Sequence, residues 1–286
     1  MTTRVIVALA VIATAGCRAE AVLTQQVEAR RLASDLQVQF AKAADASNRA
    51  VMTDADEDST SAVREAEQAT QEVQRDVEQL RSVLMSMGYS EELGLLDGFT
   101  KRLDDYRKLD AEILPLAVEN TNAKAQRLSF GPAADAVNAF RGALDGVVTS
   151  APPNAAARLE LLAARAVSNV LEIQALHAPH IAEAEDGPMT RMEQTMTASE
   201  GEARKAHAQM REVVPASSRA QLNAAAAALD RFSAVHREII TLSRRNSDVR
   251  SLALSLGRKR MIVAQCDDQL RALEAALAKH SVGATR

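Results

Sequence analysis

The residues best able to do chemistry in this sequence are two histidines and a glutamate spaced three apart. His177, His180 and Glu183 lie in EIQALHAPHIAEAED, residues 172–186. Residues three apart share one face of a helix, and imidazole and carboxylate groups bind Zn²⁺ and similar divalent ions. Pro179, between the histidines, strains that helix. The segment therefore offers a metal site or a ligand contact, and we favour the ordinary alternative, a solvated helix end.

Arginines in the first fifty residues suggest a second kind of chemistry. Arg30 and Arg31 lie in EARRL (28–32), and Arg49 lies in SNRAV (47–51). A guanidinium group can bind a carboxylate through two parallel hydrogen bonds. We therefore name these three arginines as candidate contacts for an organic or amino acid, although most arginines on helices only face water.

Motifs of enzymes and of cofactor sites are missing from the sequence. It shows no Ser, His and Asp arrangement for nucleophilic catalysis, no glycine-rich phosphate loop and no Cys-x-x-Cys-His haem attachment. We therefore predict that the protein is not an enzyme and carries no cofactor.

The composition predicts an all-α fold. Aromatic residues make up 2% of the 286 residues and tryptophan is absent, with only 11 glycines and 7 prolines. Together with plentiful Ala, Leu, Glu, Arg and Gln, this composition is typical of long, closely packed helices. The formal net charge of -4 gives no sign of a nucleic-acid surface, so no nucleic acid is expected as a partner.

An internal repeat with an offset of 126 residues runs through the chain. Small or apolar positions recur in steps of three and four in Val63, Ala66, Thr70, Val73, Val77, Leu80, Leu84 and Met87. The same steps recur 126 residues later in Met189, Met192, Met196, Ser199, Ala203, Ala206, Met210 and Val213. The offset also pairs Phe140 with Cys266, so Cys266 is predicted to be a buried, unreactive thiol. The chain therefore consists of two copies of one helical unit.

Turn signals divide each repeat into four amphipathic helices. In the first repeat these signals are MTDADEDS (52–59), SMGYS (86–90) and ENTN (119–122), and the second repeat has matching breaks. Thr121 or Asn122 is predicted to cap the fourth helix of the first repeat, and Ser247 is predicted to cap its counterpart.

The repeat and the turns together predict the domain organisation. We expect two tandem up-down four-helix bundles, residues 18–151 and 152–286. SAPPN (150–154) is the predicted linker, because two consecutive prolines cannot continue a helix beyond its first turn. The alternative is a nested eight-helix arrangement in which one long helix crosses both bundles.

The N-terminal segment has the features of an export signal. The apolar run Val5–Gly16 is shorter than the roughly 20 residues of a transmembrane helix, and Arg4 precedes it. TAGC (14–17) resembles the lipobox of bacterial lipoproteins, in which the Cys is acylated and becomes the first mature residue. We therefore predict a signal peptide over residues 1–17, lipidation of Cys17, and a periplasmic protein anchored to the cell membrane or the outer membrane.

Three further stretches resemble the extracytoplasmic four-helix-bundle sensory domain of methyl-accepting chemotaxis receptors. They are NRAVMTDADEDS (48–59), YRKLDAEILPLAVENTNAKAQRL (106–128) and FRGALDGVV (140–148). The resemblance implies an up-down bundle that binds a small ligand, or a ligand-loaded binding protein, between or beside its helices. It also implies pairing of subunits, and therefore a homodimer.

The expected function follows from that resemblance and from the predicted anchor. We expect a non-catalytic sensory or ligand-binding module for a small organic or amino acid. No second membrane-spanning segment or signalling coiled coil follows in the sequence, so we expect a partner signalling protein. The alternatives are a structural or scaffolding lipoprotein that makes protein contacts, and a metal- or cofactor-binding bundle centred on His177 and His180.

Overall fold

The computed structural model describes the backbone of residues 3–283 and the side chains of residues 22–280. Its helices are α1 (Thr3–Met52), α2 (Asp56–Met87), α3 (Ser90–Glu119), α4 (Thr121–Leu128), α5 (Ala134–Thr149), α6 (Pro153–Ala182), α7 (Asp186–Val213), α8 (Arg219–Arg245), α9 (Ser247–Leu254) and α10 (Arg260–Gly283). Two π-helical turns, Ser129–Ala133 and Ser255–Lys259, join α4 to α5 and α9 to α10. No strand occurs within residues 3–283, which confirms the predicted all-α class. Within residues 22–280, none of the helical segments combines the length and the apolar character needed to cross a membrane.

Helix α2 shows how the sequence sets the ends of these helices. Three acidic residues, 56–58, lie in its first turn, where negative charge is stabilised by the positive end of the helix dipole. Gly88 follows the last residue of the helix, and its φ of 69° is left-handed and favours glycine. The Tyr89 amide donates to the Leu84 carbonyl at 3.1 Å, which closes the final turn.

The two predicted apolar series face the interior. Every member of both series is buried or half-buried, and the residues between them are mostly exposed. Cys266 is fully buried, as predicted, and burial raises the pKa of its thiol to about 12. The heptad pattern therefore identified the buried stripe of α2 and α7 correctly.

The chain forms two compact units. Unit 1 comprises Met1–Val118 and Ser251–Arg286, and unit 2 comprises Glu119–Arg250. In unit 1, α10 packs against α1, and Cys266 lies in a core with Phe40 and Phe99. In unit 2, α5 packs against α6 and α8, and α6 packs against α7. The fourth helix of each repeat therefore lies with the first three helices of the other repeat.

This arrangement corrects the predicted tandem domains, 18–151 and 152–286. Phe140 and Cys266 occupy equivalent positions in the two repeats. The fourth helices therefore carry similar apolar faces, and each face suits the first three helices of its own repeat and those of the other repeat equally. The sequence pattern contains nothing that distinguishes the two pairings. The predicted linker is corrected as well, because Pro152 lies in a tight turn between α5 and α6 inside unit 2.

Asparagines make the joints at which the fourth helices begin. Asn120 separates α3 from α4 with φ 46°, and Asn246 separates α8 from α9 with φ 53°. Asparagine accepts this left-handed conformation more readily than most side chains. One such residue breaks each helix, and the next residue starts a new one.

Candidate functional site

His177 lies in the core of unit 2, near the end of α6. Its Nδ1 is 3.1 Å from Ser129 Oγ, and its Nε2 is 3.0 Å from His236 Nδ1. The rings of His177 and His236 are stacked, with centroids 5.2 Å apart. Burial, and then the nearby His236 and His180, lower the pKa of His177 to about 3. Burial also lowers the pKa of His236, so both rings are neutral at pH 7.

His180 is also fully buried, but its ring nitrogens hydrogen-bond to residues other than those that contact His177. Its Nε2–H donates to Glu193 Oε1 at 2.9 Å, and its Nδ1 is 2.8 Å from Ser243 Oγ. Arg244 holds Glu193 through two hydrogen bonds of 2.6 and 3.0 Å. Those bonds and the bond from His180 lower the pKa of Glu193, with burial opposing them.

The predicted set His177, His180 and Glu183 does not converge. The two histidines share no hydrogen-bond partner, and Glu183 accepts hydrogen bonds from the amides of Ala184 and Glu185. The favoured interpretation of a solvated helix end is wrong for the histidines, because both side chains are fully buried. Among the residues with described side chains, no group of three or more His, Cys, Asp or Glu is placed to hold a metal ion.

Two of the predicted ligand-binding arginines already hold carboxylates. Arg31 lies 2.6 Å from both Glu28 and Asp35, and Arg49 lies 2.7 Å from Glu65. These carboxylates raise the pKa of both guanidinium groups. A ligand carboxylate would have to displace an existing ion pair at either side chain.

The remaining predicted residues are Arg30 and Cys17. Arg30 is half-buried and donates from Nη2 to the Leu277 carbonyl at 3.2 Å. Its Nε is buried with no hydrogen-bond partner among the described residues. Cys17 lies outside the residues whose side chains are described, so its lipidation stays a prediction.

A buried ion pair lies in the core of unit 1. Lys259 is 1% exposed, and its Nζ is 2.8 Å from Asp110 Oδ1. The ammonium group also hydrogen-bonds to Ser47, whose hydroxyl donates to Asp110 Oδ1 at 2.8 Å. It lies 5.2 Å from the ring centroid of Tyr106. Burial lowers the pKa of Lys259 and the Asp110 charge opposes that shift, as expected for a charge that is buried only because it is paired.

The ion pair and the histidine pair lie beside the two π-helical turns, one in each unit. Lys259 ends one π-helical turn, and Ser129, the partner of His177, begins the other. The offset of 126 residues pairs Asp110 with His236 and Lys259 with Ala133. Single π-helical turns are rare and occur frequently at functional sites. The two repeats therefore keep the same backbone irregularity and surround it with different polar groups.

A cleft opens beside Lys259 in unit 1, with a volume of about 360 Å³. We call it the Arg260 cleft. The residues that line it include Val51, Met52, Leu252, Leu256, Lys259 and Arg260. Met52 is 73% exposed and Leu256 is 62% exposed, so the mouth of the cleft is apolar. Arg260 is exposed and, within the described part of the chain, forms no ion pair.

Sequence reasoning missed Lys259, Asp110 and Arg260. A difference between the repeats could have identified two of them. By the offset of 126 residues, Lys259 and Arg260 are equivalent to Ala133 and Ala134. A charged residue where the other copy has a small apolar one marks a position at which packing alone does not explain the residue type.

No model of a known protein family matches this chain. No curated protein matches its sequence either.

Proposed function

We propose that this chain is an extracytoplasmic, non-catalytic ligand-binding module of the sensory type, and that it binds a small organic acid in the Arg260 cleft. The observation that carries the proposal is the exposed guanidinium of Arg260, which has no ion pair within the described residues and lines an apolar-walled cleft. A guanidinium binds a carboxylate through two parallel hydrogen bonds, a geometry that an ammonium group does not offer.

The walls of the cleft favour an acid with an apolar body. Val51, Met52, Leu252 and Leu256 offer hydrocarbon surface around the guanidinium. Burial of apolar ligand surface stabilises the complex by about 25 cal/mol per Å² before the costs of association are subtracted. The volume of about 360 Å³ lies at the small end of the usual range for ligand pockets. A monocarboxylate of a few to about ten heavy atoms fits this chemistry best.

The role of Lys259 is to keep the floor of the cleft polar and close to neutral. Its charge is balanced by Asp110, so it adds little net attraction for an anion. Arg260 is therefore the residue expected to determine affinity for the carboxylate. Lys259 and Ser255 offer additional polar contacts at the floor.

The sensory part of the proposal rests on the sequence. The TAGC segment supports export and lipid anchoring at Cys17, and the resemblance to chemoreceptor sensory domains supports signalling through a partner protein. Stable anchoring by lipid takes more than one acyl chain, as a lipoprotein-type modification supplies. Pairing of subunits belongs to the same proposal.

The first experiment is a thermal-shift screen followed by calorimetric titration. The panel contains acetate, isobutyrate, isovalerate, hexanoate, benzoate and succinate, with the matching primary amides as uncharged controls. A ligand that binds only the folded state raises the melting temperature as its concentration rises. We expect a shift with at least one apolar monocarboxylate and none with its amide.

Two variants locate the site. Arg260→Gln should weaken binding by about tenfold or more, because it removes the charge-assisted hydrogen bonds. Arg258→Gln is the matched control, since Arg258 is also exposed and close in sequence but does not line the cleft. Equal binding by both variants and the unaltered chain would contradict the proposed site. A screen with no shift at all would favour the alternative, a structural lipoprotein that makes protein contacts.

A further inference from the structure

Helix α6 carries an apolar stripe on its exposed face, in addition to the face that it buries in unit 2. The positions of the stripe are separated by alternating steps of four and three residues, and they are Ala157, Leu161, Ala164, Ser168, Leu171 and Ala175. All six are exposed, with Leu161 69% exposed and Leu171 40% exposed. We call these six residues the α6 stripe. Such steps are those at which one helix packs along another in a coiled coil.

The first repeat shows that the fold does not require this stripe. Helix α1 is the equivalent of α6, and the offset of 126 residues gives it, at the same six positions, Arg31, Asp35, Val38, Lys42, Asp45 and Arg49. Five of these residues are charged, and Asp35 pairs with Arg31 while Asp45 pairs with Arg49. One exposed leucine is ordinary on a protein surface. A whole stripe at coiled-coil spacing, where the equivalent helix is charged, indicates contact with another helix.

Two charged residues along one edge of the stripe indicate which helix that is. Arg158 follows Ala157 and Glu172 follows Leu171, so both lie on the same edge. Both are exposed, and neither forms an ion pair with a described residue. The Ser199 hydroxyl donates to Glu172 Oε2 at 2.7 Å, which orients the carboxylate without neutralising it. A second α6 laid antiparallel on the first brings Arg158 of each copy beside Glu172 of the other.

The stripe is self-complementary in that antiparallel orientation. Its members lie symmetrically about Ala166, so Leu161 meets Leu171 of the second copy, and Ala164 meets Ser168. The small side chains at the centre let the two helix backbones approach closely, and the leucines fill the space on either side. From residue 157 to residue 175 the contact runs for about 27 Å at 1.5 Å per residue.

A parallel pair of α6 helices fits the charges less well. In a parallel coiled coil, each edge of one helix faces the opposite edge of the other. Glu172 would then stand beside Val167 of the second copy, and Arg158 would stand beside Pro153. Both charges would stay unpaired, so the charges favour the antiparallel orientation.

We infer that two copies of this chain associate through the α6 stripe, as an antiparallel pair of α6 helices related by a two-fold axis near Ala166. The inference rests on the subunit pairing of the proposed function and assigns a surface to it. It does not depend on the acid site, because no residue of the stripe lines the Arg260 cleft.

Sedimentation equilibrium of the full chain tests the association. From about 1 μM to about 200 μM, a range suited to a small interface, we expect an equilibrium between monomer and dimer. Leu161→Glu and Leu171→Glu should each raise the dimer Kd by about tenfold or more, because each places a charge in the apolar contact. Val38→Glu is the matched control, since Val38 is equivalent to Ala164 and is 50% exposed on α1. It should leave the Kd within about twofold of the unaltered chain.

Disulfide cross-linking in a Cys17→Ser background tests the orientation. Chains with Leu161→Cys and chains with Leu171→Cys, mixed in equal amounts, should form a mixed disulfide, because the antiparallel pair brings these two positions together. Each variant alone should cross-link far more slowly, since equal positions then lie about 15 Å apart along the helices, beyond the reach of a disulfide. The native Cys266 is buried and does not compete.

The possible failures are distinguishable from one another. A chain that stays monomeric at every concentration would overturn the inference together with subunit pairing, and would leave acid binding in the Arg260 cleft intact. A dimer that resists both Leu161→Glu and Leu171→Glu would overturn the α6 stripe alone and place the pairing on another surface. Fast cross-linking of Leu161→Cys chains with one another would show a parallel pair and contradict the two-fold axis near Ala166.

Discussion

The hydroxyl of Thr121 accepts a hydrogen bond from the amide of Ser247 at 3.0 Å, and the hydroxyl of Ser247 accepts one from the amide of Thr121 at 3.1 Å. The two residues are 126 positions apart and open α4 and α9. A similar exchange follows one residue later, since Asn122 Oδ1 accepts from the Asp248 amide at 3.2 Å and Asp248 Oδ2 accepts from the Ala123 amide at 3.1 Å. Each of these side chains therefore satisfies the first amides of the helix that belongs to the other repeat.

We predict that Thr121→Ala and Ser247→Ala each lower the free energy of unfolding by about 0.5–2 kcal/mol, the usual cost of losing a helix cap. The double variant should lose less than the sum, because both substitutions break the same reciprocal pair. Urea unfolding measures all three values. Thr197→Ala is the control, since its hydroxyl bonds only to a carbonyl of its own helix on an exposed surface. A loss in the control as large as that in Thr121→Ala would contradict this account.

The sequence predicted the helices well and their partners poorly. The spacing of residues such as Ala66 and Val77 identified buried seams, because period and burial are local properties of a helix. The pairing of the fourth helices is not local. Phe140 and Cys266 are equivalent positions of the two repeats, so each fourth helix has an apolar face that can pack against the first three helices of either repeat. For the same reason Thr121 and Ser247 were correctly placed at helix starts but assigned to the wrong helix.

The candidate site was harder to predict, because it depends on which charges meet in space. Arg31 was chosen as a ligand contact, but the sequence did not show that Glu28 and Asp35 would both reach it. Arg260 forms no ion pair with a residue whose side chain is described, and that fact appears only when the helices are packed. The same holds for Asp110, whose partner Lys259 is far away along the chain.

The stability of the chain should fall as the pH is lowered from about 6.5. The pKa of His177 is about 3 when folded and about 6.5 when unfolded, so between these values the unfolded chain binds the additional proton. Stability is therefore fully present above pH 6.5 and is lost as the pH falls. The slope for one histidine is at most about 1.4 kcal/mol per pH unit, and His236 adds to it because its pKa is also lowered.

Urea unfolding at pH 7.0, 6.0 and 5.0 measures that slope. His177→Val, which installs the residue found at the equivalent position 51, should reduce the slope even though it also lowers stability at pH 7. Ile173→Val is the control, because it removes volume from the same helix without removing a titrating group. An unchanged slope in His177→Val would show that this imidazole does not stay neutral in the fold.

Breaking the buried ion pair should cost far more than breaking an exposed one. Lys259→Met leaves the Asp110 carboxylate unpaired in the core, and we expect a loss of about 3–5 kcal/mol. The double variant with Asp110→Asn should recover a large part of that loss. Arg81→Met breaks the exposed pair with Asp97 and should cost about 1 kcal/mol or less. Equal losses in Lys259→Met and Arg81→Met, measured by urea unfolding, would contradict the burial of this pair.

The thiol of Cys266 should be unreactive until the chain unfolds. With its pKa at about 12, roughly one molecule in ten thousand carries a thiolate at pH 8, and the side chain is fully buried. In a Cys17→Ser background, a disulfide reagent such as DTNB should label the native chain only at the rate of opening. Addition of urea should release one fast-reacting thiol. Fast labelling of the native chain would contradict the core position assigned to Cys266.

The most direct test of the central claim is an NMR titration with methionine labelled at the ¹³C methyl group. The chain has 9 methionines, and Met52 stands at the mouth of the Arg260 cleft. Substitution of Met52 by Leu assigns its resonance. With a carboxylate selected by the thermal-shift screen, we predict a saturable shift of the Met52 resonance that disappears in Arg260→Gln and persists in Arg258→Gln. A Met52 resonance that stays in place while the carboxylate binds would show that the acid is held elsewhere.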